Sequence, residues 1–257
     1  MGAGCCMKME SKKIVAVEKT KEEKERAFAD FQLYYKTNKA FMHQKIKPIF
    51  KQICKTGKYD SDIINLNFVN FQKARAEFLL QLIPYFHNLK VLKLWKSSLG
   101  SEGIKIIAYD LGTLECLEVL SLEDNSLGPD GSMYLAGALE KLKKLRELWL
   151  HINDIGMIGA ACIADALGGL KDLERLGLDE NQMENKGVLK VVSCLKELKN
   201  LRMIGLGYNM LTEDACLNIV SMLGMLPLEK IILSGNNINE GSHSKMITLL
   251  PRTLIIF

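Results

Sequence analysis

The sequence predicts an α/β fold: a right-handed solenoid of about seven strand–helix repeats, with a curved parallel sheet on the concave face and a helical N-terminal cap. Three observations carry that prediction. Between Leu89 and Ile238, a phrase of alternating leucines, an asparagine and an apolar closing residue returns every 27 or 28 residues. The second half of each interval has apolar residues at helical spacing, such as Met133, Leu135, Ala136 and Leu139, or Ala160, Ile163, Ala164 and Leu167. Gly103, Gly131, Gly159 and Gly187 fall six residues after each asparagine or serine slot, where the chain is expected to turn into the helix. The unit reads strand, turn, helix, return.

Residues 1–19 form a basic arm that opens MGAGCC. Gly2 is the acceptor position for myristate once the initiator Met is removed, and Cys5 and Cys6 lie where palmitate joins a myristoylated glycine. Cys6 departs from the Ser or Thr preferred at that position. One acyl chain holds a protein only marginally to a bilayer, so a second chain or a basic patch is required, and Lys8, Lys12 and Lys13 follow closely. The alternative is an unmodified, unstructured terminus.

Residues 20–58 read as a helical cap of two helices. Thr20 and Glu23 form a capping box, and Phe28, Phe31 and Tyr35 recur at helical spacing. Asn38 is expected to cap the second helix, Pro48 to bend or break it, and Gly57 to end it. Met42, Ile46, Ile49, Phe50 and Ile53 share one face of that helix, which suits the lid an exposed repeat end needs. Lys47, Lys51, Lys55 and Lys58 lie on another face, either solvated or turned toward anionic lipid.

Residues 59–257 carry the repeats. Leu117, Leu120, Leu122, Asn125 and Leu127 give the clearest copy; Leu145, Leu148, Leu150, Asn153 and Ile155 repeat it. Later copies centre on Asn181, Asn209 and Asn236, while Ser97 and Val69 take the asparagine slot upstream. Leu254 to Phe257 start one last strand. Over roughly residues 60 to 257 this pattern resembles the ribonuclease-inhibitor-like class of leucine-rich repeats. That class includes the repeat domains of Ran GTPase-activating proteins, NOD-like receptors and tropomodulin. The resemblance implies a fold and leaves the task open. It also implies that the asparagines point inward and bond turn backbone, a structural role.

Composition narrows the class further. Residues 1–60 hold 14 Lys/Arg against 7 Asp/Glu, while residues 61–257 hold 20 against 23, so the basic character belongs to the N-terminal part. Seven cysteines, an odd number without paired spacing, point to reduced thiols in the cytosol. No secretory leader core or apolar run of about 18 residues is present, which predicts a cytoplasmic protein, peripheral on the cytosolic face of a membrane.

Because strand side chains alternate, the leucine phase fixes which neighbours face out on the concave sheet. Lys93, Trp95, Lys96, Glu123, Trp149, His151, Asp179 and Tyr208 land there and are the predicted protein-binding residues. Both tryptophans of the chain are among them, and a tryptophan meant for the core would occupy a leucine slot. Aromatic residues on an open platform are the material of interface hot spots. Gly177, Gly205 and Gly207 are expected to leave a shallow floor between aromatic walls. The alternative is that the tryptophans cover one another or the loops.

No phosphate-binding loop, dinucleotide fingerprint, HExxH pair or GxSxG elbow occurs. His43, His87, His151 and His243 are isolated from one another and from any CxxC, so no metal site is expected. The paired acids Glu123–Asp124 and Asp179–Glu180 read as solvated surface. The lysine stripe lacks the interleaved aromatic residues of a nucleic-acid site.

The leading expectation is a non-catalytic, lipid-anchored adaptor or scaffold with a protein partner on its concave face, and no cofactor, nucleic acid or small-molecule substrate. One alternative is regulation of a small GTPase, by analogy with Ran GTPase-activating proteins, although the acidic tail of those proteins is missing. The other is a structural part of a cytoskeletal or ciliary assembly.

Overall fold

The computed structural model describes residues 20–72 and 75–257. Gly2, Cys5 and Cys6 lie outside the described residues. The chain divides into two compact units at Gly57.

In the first unit, α1 (Lys21–Asn38) opens with the capping box that its sequence predicts. The Thr20 hydroxyl accepts from the Glu23 amide at 3.2 Å, and Glu23 accepts from the Thr20 amide at 2.7 Å. Two boundaries differ from expectation. Asn38 is the last residue of α1, where its side-chain amide donates to the Tyr34 carbonyl, and it does not cap α2 (Lys47–Thr56). Pro48 occupies the first turn of α2, where the missing N–H has no helical acceptor to lose, so the helix is neither bent nor broken. Met42 therefore precedes α2, though it is buried with Ile46, Ile49, Phe50 and Ile53. The Phe50 ring stacks on Phe31 at 4.9 Å and on Tyr35 at 5.8 Å, which joins the two helices. Gly57 closes α2 at φ +76. Lys51 and Lys55 stand exposed on the far side of α2.

In the second unit, eight short strands form one all-parallel sheet in sequence order, seven from the repeats and the last strand expected from Leu254 to Phe257. They are β1 (Ile63–Asn65), β2 (Val91–Lys93), β3 (Val119–Ser121) and β4 (Glu147–Trp149). β5 (Arg175–Gly177), β6 (Met203–Gly205), β7 (Lys230–Ile232) and β8 (Leu254–Ile256) complete the sheet. That last strand is β8, which pairs with β7 through Ile231 and Ile255. Register follows the period: Leu92 lies beside Leu120, Leu120 beside Leu148 and Leu148 beside Leu176.

A helix follows each of the first seven strands: α3 (Ala76–Leu82), α4 (Gly100–Leu111), α5 (Gly128–Leu139), α6 (Gly156–Gly168), α7 (Glu184–Cys194), α8 (Glu213–Leu223) and α9 (Glu240–Leu249). The core is the layer between sheet and helices. Leu120, Leu122, Leu148, Leu150, Leu176 and Leu178 are fully buried there, as are Ile107, Leu139 and Leu167 from the helices. At roughly 1.5–3 kcal/mol for each large side chain removed from water, this repeated layer dominates stability.

The glycines at the fourth helical position act differently from expectation. The left-handed turn into the helix is made three residues earlier, at Gly100, Gly128 and Gly156. Gly159 lies inside α6, where a β-carbon would sit 2.8 Å from the Ser132 hydroxyl of α5. Its job is close helix–helix approach.

Where the chain leaves the sheet, the asparagines knit adjacent turns. The Asn153 side chain donates to the carbonyls of Leu122 and Leu150 at 2.9 and 3.0 Å, and accepts from the Asn125 amide at 3.0 Å. Asn125 and Asn181 repeat the arrangement one turn away on each side. These bonds satisfy buried peptide groups that no strand or helix reaches.

Candidate functional site

Burial along each strand follows the leucine phase. The central residue of every strand from β1 to β7 is buried, and the residues flanking it turn toward the open face of the sheet. Lys93 and Trp149 end β2 and β4 on that face; Trp95, Glu123, His151 and Asp179 follow two residues after their strands. Lys96 and Tyr208 stand at the rim, where the backbone is left-handed, with φ of 50 and 51. All eight predicted residues thus share one face, although not as one cluster.

At the β1–β3 end, Trp95 is 41% exposed and its ring tilts against Phe68 at 4.8 Å. Trp149 is half-buried, and its indole N–H donates to Glu147 at 3.1 Å. Glu147 is in turn held by Arg175. Between the two tryptophans lies a hollow of about 250 Å³ that also borders Val119, Ser121 and Glu123. The indoles therefore do not cover one another.

The expected glycine floor is occupied. A β-carbon on Gly177 would overlap the His151 and Trp149 rings, and one on Gly205 would overlap the Asp179 carboxylate. The small residues let these side chains lie flat across the neighbouring strand. Tyr208 likewise lies over Gly235.

His151 Nδ1 sits 2.7 Å from Asp179 Oδ2 and 3.3 Å from the Asp179 amide nitrogen. One nitrogen cannot donate to the first and accept from the second. Asp179 Oδ2 is buried with no other donor, and a carboxylate oxygen left bare costs more than an amide. The proton is therefore assigned to Nδ1, facing the carboxylate. Asp179 Oδ1 accepts from the Gly207 amide at 2.8 Å. Among the described residues no hydroxyl or thiol hydrogen-bonds to His151 Nε2, so the pair fixes the imidazole on the sheet rather than activating a nucleophile. No group of three His, Cys, Asp or Glu among the described residues could hold a metal.

Beyond this lies the larger hollow, an open trough of about 500 Å³ bounded by Trp95 and Tyr208. Glu123, His151, Ile152, Asp179 and Glu180 line it. Phe68, Ile152, Glu180, Ile232 and Ser234 belong to this surface, outward by the same leucine phase, but are not among the predicted binding residues. Ile152 had a signal in sequence, since it follows His151 in the turn. It takes φ +56, a conformation costing a β-branched residue on the order of 1–2 kcal/mol, yet it is 44% exposed. Packing does not explain an isoleucine there.

The start of the strands carries a feature absent from the predicted site. Lys90, Glu118, Arg146, Glu174, Arg202 and Glu229 alternate in sign from repeat to repeat. Lys90 pairs with Glu118 at 3.2 Å and Arg146 with Glu174 at 2.5 Å. The Glu174 hydrogen bond raises the basicity of the Arg146 guanidinium, with its charge acting in the same direction.

No family model matches the chain, and no curated protein matches it. Among solved structures, leiomodin-1 actin-binding site 2 is similar at 17% identity and a TM-score of 0.48, over 59% of this chain and 88% of that one. An internalin from Listeria monocytogenes str. 4b F2365 is similar at 18% identity and a TM-score of 0.41. That alignment covers 76% of this chain and spans 60% of the internalin. The eight-stranded parallel register and the asparagine bonds within this chain are those of a leucine-rich-repeat fold.

Proposed function

We propose that the chain is a non-catalytic adaptor or scaffold that seats a protein partner on the open face of its sheet. The observation that carries this reading is the row of half-exposed apolar side chains, Phe68, Trp95, Ile152 and Tyr208, on a platform whose core is already filled by leucine. Seven strand spacings of about 4.8 Å make that platform on the order of 34 Å wide, enough for an interface of standard size. The 28-residue period and helices of 10–13 residues in α4–α9 favour the ribonuclease-inhibitor-like type.

Lipid attachment at Gly2, Cys5 and Cys6 would set where the partner is held. Lys51 and Lys55 would reinforce it on an anionic bilayer, each by about 1 kcal/mol. Among the described residues no helix is long and apolar enough to cross a membrane, so the proposed association is peripheral.

The test is affinity capture from cell extract with wild type and a Trp149→Ala/Tyr208→Ala variant, with thermal melting to verify folding. The variant should lose the main captured protein while staying folded. Equal capture by the folded variant refutes the proposed face. Intact-mass analysis of the cellular protein beside Gly2→Ala, with membrane fractionation, tests the tether separately. Unacylated wild type that stays in the soluble fraction removes it.

A further inference from the structure

The trough between Trp95 and Tyr208 has apolar walls, and its charges show what would fill it. Asp124 is paired with Lys96 at 3.4 Å, and Asp179 is held by His151 and the Gly207 amide. Two carboxylates remain uncompensated. Glu180 is exposed and has no side-chain partner among the described residues. Glu123 rests one oxygen on the Ser121 hydroxyl and leaves the other without a donor. Lys93 and Lys96 stand on this face toward its β2 end; of the other strand cations that turn to it, Arg175 is paired with Glu147 and Lys230 starts β7.

We propose, resting on the interface reading above, that the partner segment seated here is extended in the polyproline-II manner, three residues per turn, with Arg or Lys three residues apart against Glu123 and Glu180 and apolar residues between them. Three arguments converge on that chemistry. Burying either carboxylate under an apolar or acidic partner would leave an uncompensated charge, whereas a guanidinium satisfies it with hydrogen bonds. The exposed faces of Trp95 and Tyr208 accept both apolar contacts and cations. Spacing also fits: Glu123 and Glu180 follow strands two apart, about 10 Å, which is about three residues of extended chain. Trp95 and Tyr208 follow strands four apart, about 19 Å, or about six residues.

Three synthetic fluorescein-labelled peptides test this. They share one apolar, polyproline-II-forming frame and differ only in two residues, three apart, that are both Arg, both Gln or both Glu. Binding is followed by fluorescence anisotropy with wild type and Glu123→Gln/Glu180→Gln. The Arg peptide should bind wild type at least about tenfold more tightly than the Gln peptide. That gap should shrink to about threefold or less in the double variant, and with rising salt, while Gln-peptide binding is unchanged. Equal affinity for Arg and Gln peptides overturns the proposal, as does no binding of the Arg peptide up to about 1 mM. Preference for the Glu peptide also overturns it and assigns the face to an acidic partner at Lys93 and Lys96. If the peptides fail while Trp149→Ala/Tyr208→Ala still abolishes capture, only the basic-segment assignment falls.

Discussion

In the turns after β3, β4, β5 and β6 an asparagine is at most 1% exposed, whereas after β1 and β2 the same slot holds Val69 and Ser97. Each central asparagine side chain closes bonds to its own turn and, both as donor and as acceptor, to the preceding one. Ser97 is as buried, but its hydroxyl reaches across only to the Leu66 carbonyl at 3.0 Å. Val69 has no side-chain bond to give, and its amide closes locally on the Leu66 carbonyl at 3.1 Å. Repeats here are thus equal in hydrophobic packing and unequal in polar cross-linking. The centre is specified by hydrogen bonds between turns, the β1–β2 end mostly by apolar burial.

The sharpest way to break that contrast is Asn153→Ala. It strips one of two donors from the carbonyls of Leu122 and Leu150, which Asn125 and Asn181 still reach, and leaves the Asn125 amide bare, a buried group worth roughly 1–3 kcal/mol. With the two redundant bonds lost as well, at about 0.5–1.5 kcal/mol each, a loss of about 2–4 kcal/mol is expected in urea denaturation. Ser97→Ala removes far less and should cost about 1 kcal/mol in the same experiment. Equal losses at the two sites would end the distinction.

Helix packing offers a second comparison. Alanine at Gly159 must push against Ser132 and Ile155 at 2.8 Å and should cost about 1–3 kcal/mol. At Gly103 the nearest atom is the Leu99 side chain at 3.0 Å, a flexible neighbour. There the helix-propensity gain of alanine over glycine, up to about 1 kcal/mol, should offset the crowding. Paired thermal melts decide whether the central helices are the tighter set.

An effect confined to alkaline pH concerns Cys216, which is fully buried in α8. Burial, aided by the charge of Glu213, pushes its thiol up to about 12. The folded value lies above the unfolded one, so the contribution is complete below the ordinary thiol range. It is lost as pH rises from there toward about 12. Wild type should therefore lose on the order of 2 kcal/mol more stability than Cys216→Ala on going from about pH 8 to about pH 10.5. In native labelling with iodoacetamide, the half-buried Cys116 and Cys194 should react before Cys216.

The leucine phase made the fold legible because a strand's alternation decides whether a side chain enters the core, and β1–β7 obey it. It placed Trp95, Trp149 and Tyr208 on the open face for the same reason. It did not show that His151 and Asp179 would lie across Gly177 and Gly205, because alternation sets the direction of the first side-chain bond and not the rotamers beyond it. Nor did it separate Gly159, which serves helix contact, from Gly156, which makes the turn. Both are glycines near a helix start, and only the position of α5 tells them apart.

The row from Lys90 to Glu229 has a consequence for how such a chain can lengthen or shorten. Its signs alternate, so the charge pattern repeats every two units, over 56 residues or one fewer. Excising one unit, Arg146 with its strand and helix, would set Glu118 against Glu174; excising two would restore opposite neighbours. Leucines and asparagines tolerate gain or loss of units singly, whereas this edge favours change in pairs.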